Sequence, residues 1–158
     1  MANKTARLQR MIRLYKEETG NLEVDMKQVA LFAKDKGWPM AEPKDPVDIL
    51  AHDLAKAARE EIRRDEATGR PYRANHAVPA PGGQYTFWVD IDERPPRKHM
   101  LKSLMNRREQ MVGDGLQLTY DAEYWNSINP IEEPIQIELD FTFDVELRKH
   151  AGDVSLAS

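Results

Sequence analysis

Apolar residues recur at helical spacing three times in the first half of the chain. Leu8, Met11, Ile12 and Tyr15 share one face of a helix over roughly 4–18, which Gly20-Asn21 stops. Asp25 is placed to cap a second helix with Val29, Phe32, Ala33 and Met26 as its buried stripe and Gly37 as a left-handed cap. After a Pro-containing loop from Trp38, Asp45 stands as N-cap and Pro46 at the first helical position of a third. Its stripe of Val47, Leu50, Leu54, Ala57, Ala58 and Ile62 carries this helix to about Glu66, where Thr68-Gly69 breaks it. The pattern then shortens: Tyr72 to Val78 and Gln84 to Val89 are strand candidates rich in aromatic and branched residues. The Pro79-Ala80-Pro81-Gly82-Gly83 loop lets them fold into a hairpin.

The second half is organised differently. Beyond the rigid Asp92-Glu93-Arg94-Pro95-Pro96 connection, Leu104, Met111, Leu118 and Trp125 stand seven apart. Leu101, Gly115 and Ala122 take the companion heptad positions, with Arg108 as the charged exception. The spacing predicts one helix of up to about thirty residues within 97–126, with Gly113-Asp114-Gly115 as its weak point. Packing against helix 4–18 and a homodimer interface would both use Leu104, Met111, Leu118 and Trp125. From Ile135 to Leu147, IQIELDFTFDVEL alternates apolar and polar, which predicts a half-buried C-terminal strand. Leu139, Phe143 and Leu147 also keep helical spacing, so a helix competes for the latter part. Residues 151–158 are expected to form a flexible tail.

Three helices followed by a hairpin is the winged-helix order. Residues 5–91 therefore resemble a winged helix-turn-helix domain, and the span from Met26 to Asp90 is similar to the winged module of the delta subunit of bacterial RNA polymerase. The resemblance implies an α+β fold, with a winged-helix-like domain over 1–92 and a long helix plus strand over 93–150. The run RKHM…RREQMVGD…QL…D…WN, Arg97 to Asn126, is also similar to part of an uncharacterised family of bacterial proteins and brings no site residues with it.

For DNA-binding members of the winged-helix superfamily, the resemblance places helix 46–66 in the major groove, with Lys56, Arg59, Arg63 and Arg64 available. The wing over 70–89 would bring Arg70, Arg73, Asn75 and His76 to phosphate or the minor groove. Double-stranded DNA is then the expected partner, with transcriptional regulation among the roles of such domains. Asp48, Asp53, Glu60, Glu61, Asp65 and Glu66 on the same helix favour the alternative, a protein-interaction module that keeps the fold without nucleic acid.

Charge distribution changes this picture more than net charge does. The chain carries −4 overall, yet 97–109 holds five basic residues and one acidic one, while 110–158 holds two and ten. A basic face can coexist with an acidic C-terminal third, and Arg97, Lys98, Lys102, Arg107 and Arg108 form a second candidate polyanion site. No cysteine is present, which excludes disulfides and thiolate metal sites. The opening MANKTARLQRMIRLYKEE lacks the apolar core of a signal peptide, and a soluble cytoplasmic protein is expected. His52, His76, His99 and His150 show no metal-ligand spacing, and no glycine-rich phosphate loop follows a strand. Asp90 and Asp92 fall on one face of a strand end, where exposure explains them, and Ser103 with His99 lacks a third group to orient the histidine. These patterns point away from an enzyme, a metal and a cofactor.

Overall fold

The computed structural model describes residues 3–158. Its chain divides at Pro46 into two compact units. In the first, α1 (Lys4–Thr19) begins where the Asn3 side chain accepts from the Ala6 amide at 2.8 Å and ends at Gly20, whose φ of 72° suits a residue without a Cβ. The second helix, α2 (Met26–Asp35), is capped by Asp25, which accepts from the Lys27 amide. Its end is a Schellman motif: Trp38 N–H donates to the Ala33 carbonyl, Gly37 N–H donates to Lys34, and Gly37 is left-handed as expected. Tyr15 meets Phe32 edge to face, while Val29 and Ala33 are buried. Met26 lies outside that buried stripe and is exposed.

The second unit runs from Val47 to Ser158 and mixes helix with two small antiparallel sheets. Helix α3 (Pro46–Glu60) stops six residues short of Glu66, because Ile62–Arg64 forms a strand, β1, paired with β2 (Pro71–Arg73). The connecting residues make a turn. Asp65 accepts from the Ala67 amide and the Thr68 hydroxyl, and Gly69 at φ 71° returns its N–H to the Asp65 carbonyl. On α3, only Ala55 and Ala58 are half-buried; Val47, Leu50 and Leu54 are exposed, contrary to the stripe expected from their spacing.

Strand β3 (Asn75–Pro79) pairs with β4 (Thr86–Asp90), giving the hairpin predicted over 72–89 in a slightly narrower form. Its loop contains a 3-10 turn over Pro81–Gly83 with two left-handed glycines. Between β2 and β3, Ala74 is fully buried and serves both sheets. Its N–H donates to the Glu61 carbonyl, and its own carbonyl accepts from Ile91 N–H. Every second residue from Ala74 to Ala80 is buried, which is period two read directly from the fold.

Helix α4 (Arg97–Ile128) spans 32 residues, passes through Gly113-Asp114-Gly115 without a break, and packs on β3. His99 meets Phe87 edge to face at 5.1 Å, and Ser103 is buried. The expected boundary at 92–93 therefore falls inside this unit. No helix among the described residues is long and apolar enough to cross a membrane.

The C-terminal strand expected over 135–147 is not formed. Residues 135–141 pair with no strand; they run back along α4, where Asn126 exchanges two hydrogen bonds with the Ile135 backbone and Leu139 lies over Gly115. Asn126 and Gly115 are about 16 Å apart along the helix axis, and four residues reach that far only with backbone near its extended limit of about 14 Å and side chains spanning the rest, so the alternation is real but its partner is a helix. From Thr142 the chain becomes α5 (Thr142–Ala157), with the Thr142 amide donating to Asp140. Leu139, Phe143 and Leu147 had kept that spacing. Residues 151–157, expected as a flexible tail, belong to α5, where Asp153 binds Arg70 and Leu156 covers Gly69.

Candidate functional site

Eight side chains were expected to contact nucleic acid, and the fold separates them into two sets. Three arginines are used internally. Arg63 on β1 donates to Asp90, Asp92 and Glu61 at 2.7–2.8 Å, which raises its pKa and lowers that of Asp90 through the Arg63 hydrogen bond. The Asp90-Asp92 pair is thus an arginine clamp. Arg70 makes two hydrogen bonds to Asp153, which hold that carboxyl below the usual range, and Arg64 donates to the Gly69 carbonyl. Lys56 is exposed on α3.

The remaining four converge. Arg59 at the end of α3, Arg73 on β2, and Asn75 and His76 on β3 line one cleft of about 580 Å³, closed on its other side by α4. The local sequence explains this convergence. Helix α3 ends at Glu60, so Arg59 reaches the hairpin and sits over the Trp88 ring at 5.4 Å, while Asn75 donates to the Ala58 carbonyl at 3.2 Å and ties β3 to that helix end. His76 is buried. Its Nε2–H donates to the Arg73 carbonyl at 2.9 Å, leaving Nδ1 without a hydrogen bond among the described residues.

From α4 the cleft gains Ser103, Asn106, Arg107, Gln110 and Asp114. Of these only Arg107 had been singled out for polyanion binding, as part of the basic run; one helical face carries all five, but nothing in the sequence shows that this face meets the hairpin. Among the described residues no carboxylate lies within ion-pair distance of Arg59, Arg73 or Arg107. Three guanidiniums therefore face a shared space containing a single carboxylate, Asp114. That arrangement attracts an anion and presents planar donors suited to phosphate oxygens.

The residues expected at a subunit interface lie elsewhere on α4. Leu104, Leu118 and Trp125 are each 45–48 % exposed, and Met111 is 58 % exposed although it also lines the cleft. The chain matches no family model, no curated protein and no solved structure.

Proposed function

We propose that the protein binds nucleic acid through the cleft formed by α3, the β3–β4 hairpin and α4, with double-stranded DNA as the partner suggested by its winged-helix-like element order. One observation carries this reading: Arg59, Arg73 and Arg107 come from three separate elements, share one cleft and have no carboxylate partner among the described residues. The groups that bind are thus fewer than the basic residues of helix 46–66 and the wing. Arg63, Arg64 and Arg70 hold the fold together.

Fluorescence anisotropy with duplex fragments at several salt concentrations tests the reading. Binding should weaken steeply with salt, and Arg73→Ala with Arg107→Ala should lower the slope by roughly two counterions while circular dichroism stays unchanged. Arg70→Ala should leave the slope alone and reduce thermal stability instead. Absence of binding at low salt, or binding indifferent to Arg73 and Arg107, defeats the proposal.

A second reading, a self-associating interaction module, is favoured by the exposed apolar residues of α4. That helix is also electrically polarised: 97–109 is strongly basic, whereas Asp114, Asp121 and Glu123 leave 110–128 without a basic residue. A second copy laid antiparallel on the first would match basic half to acidic half.

A further inference from the structure

We propose that the cleft receives a terminal phosphomonoester, the phosphate-bearing end of a nucleic-acid strand or a free nucleoside monophosphate. This rests on the nucleic-acid reading of the same cleft and narrows it. Two of the polar groups lining the cleft are enclosed: Ser103 is 2 % exposed and His76 is 6 % exposed. The Ser103 hydroxyl makes no hydrogen bond among the described residues, and neither does Nδ1 of His76. Among the described residues no side-chain polar atom is both sealed from solvent and unpaired, so the hydroxyl and the ring nitrogen open onto the cleft, where an entering polar group can meet them.

Shape decides which anion can do so. A phosphate inside a duplex is esterified on both sides and lies on a convex backbone, which keeps its oxygens farther from enclosed side chains than a strand end does. A terminal phosphate has one ester link and projects from its strand. Charge agrees with shape, because three guanidiniums against the Asp114 carboxylate leave two positive charges in excess, the histidine aside. A phosphomonoester carries about −1.5 to −2 at neutral pH, which matches that excess more closely than the single charge of a diester. The volume of about 580 Å³ falls in the range of small-molecule sites. It also leaves room for an attached nucleoside beside Asn106 and Gln110, whose amides can read a base edge.

Anisotropy of labelled oligonucleotides carrying a 5′ phosphate, a 3′ phosphate or neither tests this directly, with a nucleoside monophosphate and its unphosphorylated nucleoside as competitors. At least one phosphorylated strand should bind about tenfold or more tightly than the hydroxyl-ended strand, as expected for gaining a charged hydrogen-bonded group. Ser103→Ala and Arg107→Gln should each shrink that ratio, with melting curves recorded to show both variants folded. Competition by the monophosphate but not the nucleoside assigns the chemistry to a free nucleotide, and a preserved end preference without such competition assigns it to a strand end. Equal affinity for all three strands overturns the phosphomonoester while leaving nucleic-acid binding intact. Monophosphate binding without strand binding removes the nucleic-acid reading alone, and no binding by any probe removes both.

Discussion

Arg63 and Arg107 are the same side chain in two electrostatic settings. Arg63 donates to Asp90, Asp92 and Glu61, so its charge is neutralised within the fold, whereas Arg107 lines the cleft with no carboxylate in ion-pair range among the described residues. Their difference has a pH signature. Asp90 is held below the ordinary carboxylate range first by Arg63, and Asp153 first by Arg70. A carboxyl depressed in the folded state adds stability above its unfolded pKa and loses that contribution as pH falls through the folded value. Thermal stability should therefore hold down to about pH 4 and decline below it. Asp90→Asn should lower the melting temperature at neutral pH, with the gap to the unmodified protein closing under acid. Parallel melting curves across the whole acid range would contradict this role for Asp90.

At the scale of elements, α5 is where stability can be probed most cleanly. Phe143 is 75 % exposed, so Phe143→Ala should change stability by less than about 0.5 kcal/mol, while Val145→Pro inside the helix should cost about 3 kcal/mol or more. Denaturant titration checks both, and a large loss at Phe143 would place it in a core instead. The two cases also show what the sequence makes legible. Caps and turns are local, so Asn3 aside, the ends of α1 and α2 at Gly20 and Gly37 could be read, as could the hairpin across Gly82-Gly83. Period two reports an extended backbone without reporting its neighbour, and residues 135–141 spend theirs on α4. Asp65-x-x-Thr68-Gly69 carries a turn signature, yet the preceding apolar stripe reads straight through to it. Four of the cleft residues are legible as candidate polar contacts, Arg59 on the third helix and Arg73, Asn75 and His76 at the start of the wing. Ser103, Asn106 and Gln110 are not, because their role depends on α4 packing against β3.

For the whole molecule, the apolar residues exposed along α4 are the feature that bears on assembly. If a second copy covers it, sedimentation should show a dimer, and Leu118→Asp should yield monomers by placing an unpaired charge in the interface. Leu118 is the informative position since it does not line the cleft, unlike Met111. Nucleic-acid binding by that variant should survive at the level of each protomer, with only the gain from paired sites lost. A monomer at high concentration in the unmodified protein ends the self-association reading. The antiparallel arrangement has its own check: cross-links should join the 97–109 end of one copy to the 114–123 region of its partner.

The clasp between Arg70 and Asp153 joins residues 83 apart in sequence. A ribosome adding about 5–20 residues each second takes roughly 4–17 s to cover that distance. During that interval the Asp65–Gly69 turn is already synthesised, yet the helix that covers Gly69 and neutralises Arg70 does not exist. A nascent chain therefore carries Arg70 without its Asp153 partner, close in sequence to Arg73, the arginine of β2 that lines the cleft. Vectorial synthesis gives the molecule an early state more basic around this turn than its mature one, and α5 is the element that ends it.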